Sequence, residues 1–235
     1  MVSQKKGMNS APCLACDGTD YRHVLDAFDF ASATTPFHII ECGCCGLART
    51  EPSLSGDELA EYYKPAYYGS GTEKFVGVIE AYTVLADWCW AGTILSRWKT
   101  QKKGYPRVLD VGCGRGNLLR ALSTRGCECH GVERKEFPNN PTSKQYQNYQ
   151  GDIGEIGFDT GFFDVVILCH VLEHFENPVE ALLELSRVLR HGGLLVLAVP
   201  NSSSTGQIIR CRLVSSGSSA TYSSFYPGFV TGMPR

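Results

Sequence analysis

Arg107-Val-Leu-Asp-Val-Gly-Cys-Gly-Arg-Gly-Asn-Leu-Leu119 is the stretch on which the fold turns. A short apolar strand (Val108, Leu109, Val111) runs into Gly112, Gly114 and Gly116, and an apolar helical pattern follows at once. In an open α/β sheet, strands point their carboxyl ends at the ligand crevice and helices begin there. Glycines let the chain turn sharply and let a ligand approach without meeting a Cβ. The stretch is therefore built to hold a nucleotide-like molecule. Its spacing, Gly112-x-Gly114-x-Gly116, departs from the G-x-G-x-x-G of dinucleotide sites, and no G-K-[ST] occurs for a phosphate-cradling loop. Asp110, two residues ahead of the first glycine, suits a cationic or hydroxyl-rich ligand better than a pyrophosphate.

Reading outward, residues 127–133 form a second short strand ending in an acid. Glu133 lies about twenty residues past the glycines, the spacing of a carboxylate that binds ribose hydroxyls. Residues 146–151 read as a third strand, closed by Gly151-Asp152-Ile153, where Gly-Asp is also an ordinary turn pair. Residues 162–169 are nearly all apolar, as a strand buried on both faces should be, with Asp164 capping or bordering it. A helical pattern over 178–190 is stopped by Gly192-Gly193, and residues 194–199 make a fifth strand. Strands alternating with helices predict an α/β fold with a mostly parallel sheet flanked by helices.

The run Asp110-Val-Gly-Cys-Gly-Arg-Gly116 resembles motif I of class I S-adenosylmethionine-dependent methyltransferases, in particular the small-molecule enzymes carrying D-x-G-C-G-x-G. The likeness extends over about residues 107–201 and implies a Rossmann-like sheet that binds S-adenosylmethionine. It implies methyl transfer to a small-molecule or carrier-bound acceptor, at oxygen, nitrogen or carbon, by in-line displacement. Asp110, Gly112, Cys113, Gly114, Glu133, Asp152, Ile153 and Cys169 would surround the cofactor. Asp152 would hydrogen-bond the adenine amino group and Ile153 pack on its ring. Asp110 either reaches the cofactor or ties down the glycine-loop amides, and Cys113 reads as a small packing residue, not a nucleophile.

His170-Val-Leu-Glu-His174 formally matches the zinc-peptidase pattern H-x-x-E-H. Such ligands belong on a long helix with further acids downstream, whereas this segment leaves a buried strand of a nucleotide-binding sheet. The same letters follow the fourth strand of many methyltransferases that this chain resembles. His170 and His174 would then sit at i and i+4 on one helical face near the methyl donor. Each is a candidate catalytic base, since imidazole titrates at about 6.5. The alternative is that they shape the pocket wall and bond backbone.

The second informative region is N-terminal. Cys13-Leu-Ala-Cys16 and Cys42-Gly-Cys-Cys45 are two C-x-x-C pairs, with glycine just behind each. They match a four-cysteine zinc ribbon, a closed all-thiolate site and therefore structural. Cys44 competes with Cys45, which is preferred because Cys42 to Cys45 repeats the two-residue gap. The alternative is free or oxidised thiols. Residues 21–30 and 37–41 suit a small hairpin between the pairs. Many methyltransferases resembling this chain carry such a ribbon ahead of the catalytic domain, closed by a phrase like Cys45-Gly-Leu-Ala-Arg-Thr50.

Residues 53–69 begin with helix-starting residues and end in paired tyrosines, as a cap over the donor site or as packing between modules. Residues 75–98 read as one helix whose stripe is Phe75, Val78, Ile79, Tyr82, Leu85 and Trp88, packed on the sheet or roofing the acceptor pocket. The organisation expected is a zinc-ribbon-like module over 10–50, a helical cap and linker over 51–103, the cofactor domain over 104–201 and an irregular tail over 202–235. In that tail no strand or helix is read, and the C-terminal strands of the sheet are expected to be missing, through truncation or a frameshift. That would leave residues 194–199 as a bare apolar edge.

A formal net charge of −2 argues against electrostatic capture of nucleic acid or an anionic membrane. No apolar stretch is long enough to span a bilayer, and residues 1–10 lack a signal-peptide apolar region. Eleven cysteines, an odd number and partly scattered through core strands, point to a reducing, cytoplasmic compartment. Two further readings remain beside methyl transfer. One is a non-catalytic nucleotide-binding protein with a zinc-ribbon interaction module; the other is a nicotinamide-dependent oxidoreductase, disfavoured by the glycine spacing.

Overall fold

The structure, a computed structural model, describes residues 11–27, 37–54, 58, 76–99, 104–134, 145–199 and 210–215. They fall into two compact units. The first is a three-stranded antiparallel sheet of β1 (Tyr21–Ala27), β2 (Phe37–Cys42) and β3 (Ala48–Glu51), in the order β1-β2-β3. The hairpin of β1 and β2 is the one expected; β3 is additional, formed where Ala48 and Arg49 pair back onto Glu41 and Ile40.

The second unit begins with α1 (Val76–Lys99). It continues through β4 (Arg107–Val111), α2 (Asn117–Ser123), β5 (Glu128–Glu133), β6 (Gln147–Gln150) and a short α3 (Ile153–Ile156). β7 (Phe163–Cys169), α4 (Pro178–Val188), β8 (Leu189–Val199) and β9 (Arg210–Ser215) complete it. The sheet runs β6-β5-β4-β7-β8-β9, parallel from β6 to β8. The chain leaves β4 toward one edge and returns with β7 on its other side, so a switch point opens at the carboxyl end of β4.

Burial on both faces explains the near-continuous apolar strands. Val108, Val165, Ile167, Leu194 and Val196 face one cluster with Leu118, Leu119 and Leu122 of α2 and Ala91, Ile94, Leu95 and Trp98 of α1. α4 packs on β8 and buries Ala181, Leu182, Leu185 and Val188. Asp164 lies inside β7, as its second residue, and does not cap it: it accepts the Arg107 backbone N–H at 2.8 Å and pairs with Arg190.

Three expectations are corrected here. The α1 helix exists, but of its expected stripe Leu85 is 63% exposed and Trp88 lies under the Arg125 guanidinium at 4.4 Å, while Ala91, Ile94, Leu95 and Trp98 are buried; the side chains of Phe75, Val78, Ile79 and Tyr82 lie outside the described residues. The α4 helix ends at Val188, and strand pairing begins at Leu189, ahead of Gly192-Gly193, with a register irregularity between Phe163 and Val165. The tail does contain a strand. β9 pairs antiparallel with residues 194–199 of β8, so the bare apolar edge is covered, and the sheet has one of the C-terminal strands thought missing. The remainder of residues 202–235, the tyrosine segment within 59–69 and the linker at 100–103 lie outside the described residues.

Candidate active site

β4 delivers its chain to the crevice with Val108, Leu109 and Val111 buried. The loop that follows is tied to β5, because the amides of Gly112 and Cys113 both donate to the Val132 carbonyl, at 2.8 and 3.3 Å. A Cβ on Gly112 would lie 2.3 Å from Val171 Cγ2, so the loop closes against the segment after β7 only with glycine there. Gly114 is different. It too has positive φ, but a Cβ there would meet nothing within 4 Å, so its backbone borders open space. Glycine is required at that point for a left-handed turn, and the turn leaves room for a ligand to reach the main chain.

Glu133, the last residue of β5, braces this turn. Its Oε2 accepts the Gly114 N–H and its Oε1 the Arg134 N–H, each at 3.0 Å. Asp152 caps α3 through a capping box with Glu155 and pairs with Arg134, whose guanidinium lies 5.3 Å from the Phe175 ring centre. Ile153, beside Asp152, is buried. Cys113 and Cys169 are half-buried and pack against the core cluster. Burial, then the charges of Asp110 and Glu133, push the Cys113 thiol well above the usual range, which fits a packing residue.

Asp110 is buried, 4% exposed, and its carboxyl is pushed up to about 8 by burial and then by the charges of Asp87 and Glu133. Burial also raises Asp87, which comes from α1. Three carboxyl groups thus share one electrostatic neighbourhood, and their crowding keeps a proton on Asp110 near neutral pH. Asp87 was not singled out from the sequence. The available signal was an acid one residue from the tryptophan of an otherwise apolar helical run. Arg134, the partner of Asp152, and Val171, the lid on Gly112, were also missed; both act through contacts that a linear pattern does not display.

The segment from His170 to His174 is not an α-helix, which corrects the expected i, i+4 placement. His170 sits at φ 56, in the left-handed region, with its N–H donated to the Ala198 carbonyl at 2.8 Å. A single 3₁₀ turn, Leu172–His174, follows. The left-handed residue redirects the chain where it leaves β7, and the tighter turn places His174 off the α-helical face. His170 Nδ1 lies 3.6 Å from Glu173 Oε1, and its side chain is 44% exposed; His174 is half-buried.

In the first unit, Cys13, Cys16, Cys42 and Cys45 bring all four sulfurs within 4.8 Å of one another. The Cys13–Cys45 and Cys16–Cys42 separations are 3.5 and 3.6 Å. Four thiolates about 2.3 Å from a tetrahedral zinc stand about 3.8 Å apart, so the quartet fits that ion. Each C-x-x-C lies on a tight turn: the amides of Cys16 and Asp17 donate to Cys13 O, and that of Gly46 to Cys42 O. Burial opposes ionisation of Cys42, but the amides of Cys45 and Cys44 and the adjacent thiols outweigh it and bring Cys42 down to about 7. Cys44 is exposed and outside the quartet.

Residues 87–228 match the methyltransferase domain family, a span that includes β4 to β9. A ubiquinone biosynthesis O-methyltransferase of Maricaulis maris is 33% identical over 107 residues, 42% of this chain and 42% of that protein. The protein of the same name in Dechloromonas aromatica is 30% identical over 103 residues, 40% of this chain and 44% of that protein. The chain therefore matches less than half the length of these curated relatives. Among solved structures, the plantazolicin methyltransferase BpumL in complex with SAH is 21% identical, covering 58% of this chain and 56% of that one, with a TM-score of 0.48. With the matched family spanning more than half of the chain and its glycine loop placed at the switch point of a parallel sheet, the protein belongs to the methyltransferase domain family.

Proposed function

We propose that the second unit binds S-adenosylmethionine at the carboxyl end of β4 and transfers its methyl group to a small-molecule or carrier-bound acceptor. The observation that carries this reading is the Gly114 turn, open to the crevice and braced by Glu133, in a chain of the methyltransferase domain family. When bound, the cofactor supplies a methyl carbon already activated by its sulfonium, so no covalent protein nucleophile is needed. Glu133 would hold the ribose hydroxyls, Asp152 the adenine amino group and Ile153 the ring face. Glu133 and Asp87 would favour the positive charge. Gly112, Cys113, Gly114 and Cys169 would form the close-fitting wall.

The acceptor's reacting atom must lie in line behind the methyl group with water excluded, and positioning of this kind contributes several kcal/mol. His170 and His174, on the segment that closes over Gly112, are the candidate bases for an acceptor that must lose a proton. The names of the curated relatives support a small-molecule acceptor. Four thiolates at zinc-fitting separations support a structural ion in the first unit. Among the described residues no helix is long and apolar enough to cross a membrane.

Calorimetry with S-adenosylmethionine, its demethylated product and NAD tests the cofactor. The first two should bind and NAD should not, and Glu133→Ala should weaken both by about tenfold or more, the equivalent of about 1.4 kcal/mol. Binding of NAD alone would sink the assignment. Transfer of label from methyl-labelled donor into a small-molecule extract separates an enzyme from a binding protein.

A further inference from the structure

The first unit carries a second group of ligand-type side chains, and its geometry does not follow from ordinary strand alternation. His23 and Asp26 lie three residues apart on β1, an odd spacing that puts side chains on opposite faces of a regular strand. Here they meet: His23 Nε2 is 2.6 Å from Asp26 Oδ1, and His38 Nδ1 of β2 is 2.6 Å from the same oxygen. The reason is a bulge. His23 pairs with Ile40 and Asp26 with His38, so three steps on β1 oppose two on β2, and the irregularity falls between His23 and Leu25. Because Ile40 and His38 share one face of β2, the extra residue swings His23 onto the face of Asp26 and His38. Bulges are a recognised means of re-aiming one side chain.

We propose that His23, Asp26 and His38 form a second metal site, distinct from the cysteine quartet, for a divalent transition ion of zinc-like character. Two imidazole nitrogens and a carboxylate oxygen, all within 4.8 Å of one another, are a donor set that such ions prefer. A bound ion would occupy the place now shared by two N–H···O contacts. As a simple surface ion-pair cluster the group is worth little, which leaves the re-aiming of His23 without a stability rationale. All three side chains are substantially exposed, at 45%, 51% and 36% for His23, Asp26 and His38. Three protein ligands with solvent on the open side leave a coordination position for water or an outside donor, unlike a closed thiolate tetrahedron. The sites are also separate in space: His38 is four residues along β2 from Cys42, about 13 Å at strand rise.

The test uses the full chain with zinc as the probe. Equilibrium dialysis against buffered zinc should load two ions per chain. His38→Ala and Asp26→Asn should each weaken one of them by tenfold or more, whereas His191→Ala leaves both unchanged. Cys42→Ser should cost the quartet ion and, by unfolding the β1–β2 hairpin, the histidine-dependent ion with it, whereas His38→Ala should leave one ion bound and the hairpin amides protected, so failure of the quartet and failure of this site are told apart. Zinc titration followed by imidazole ¹⁵N NMR should shift Nε2 of His23 and Nδ1 of His38 together. A second ion unaffected by His38→Ala, or zinc that leaves both imidazoles unshifted while the hairpin is folded, overturns the proposal.

Discussion

The two sheets solve the same problem with different means. The six-stranded sheet buries a continuous apolar layer on each face, with Leu109, Val165, Val166, Ile167 and Leu168 fully enclosed. The three-stranded sheet has almost no such layer: among the described residues of that unit, only Cys13, Ile40, Glu41 and Cys42 are buried. Two of those four are proposed zinc ligands, and a third is a carboxylate bonded by Arg22 at 2.7 Å. A unit so small seldom buries enough surface to stand alone, and a metal is the usual remedy. One sheet is held by exclusion of water; the other, on the zinc reading proposed above, would be held by coordination.

That contrast breaks most visibly on removal of metal. Structural zinc is worth about 10–16 kcal/mol in small modules, effectively their whole folding free energy. A strong chelator, or Cys42→Ser, should therefore strip protection from the amides of β1 to β3 in hydrogen exchange, while those of β4 and β7 keep exchanging slowly. If the hairpin amides stay protected without metal, apolar burial holds both sheets and the comparison fails.

A smaller effect of the opposite distribution is expected for Leu109→Ala. Leu109 is fully enclosed at the centre of the larger sheet, and deletions of that kind cost about 2–5 kcal/mol. The melting transition of the six-stranded unit should fall, with zinc content and hairpin exchange unchanged. A parallel loss in the hairpin would show that the two units fold as one.

The same contrast explains what could be read in advance. The path from β4 through the glycine loop into α2 was legible because it is local: strand, turn and helix signals are adjacent, and steric demands at Gly112 and Gly114 have few solutions. The cysteine quartet was legible for the same reason, as two short pairs. Features set by distant partners were not. The α1 helix announced itself by period, but a helix with apolar residues on several sides does not declare which stripe is buried, and Ala91, Ile94, Leu95 and Trp98 won because α2 and the sheet lie there. β9 is hidden among serines, and only its backbone pairing with β8 makes it a strand. His170 to His174 carries helical spacing, yet the turn required at the end of β7 places His170 in a left-handed conformation that no helix contains. Asp87 reaches Asp110 electrostatically only after α1 is docked.

The finest distinction between the two sheets is in their response to pH. Asp110 has a folded-state pKa of about 8 against an ordinary 3.8, so the folded chain keeps a proton that the unfolded chain has released. Its contribution is fully present below about pH 4 and declines as pH rises, until it is lost above about pH 8, by at most about 1.4 kcal/mol per pH unit for one proton. His130 works in the other direction: burial lowers it from 6.5, so it favours the fold increasingly as pH climbs toward that value and is silent above it. The interval from about pH 7 to about pH 8 isolates Asp110 from His130. Across it, urea unfolding of the six-stranded unit should show declining stability, and Asp110→Asn, which stays neutral, should flatten the decline. The hairpin should move the other way, because thiols must lose protons to bind metal and affinity therefore rises with pH. Opposite slopes in one chain would mark one sheet as sheltering a buried acid and the other as assembled on thiolates. A decline that persists in Asp110→Asn would assign the proton elsewhere.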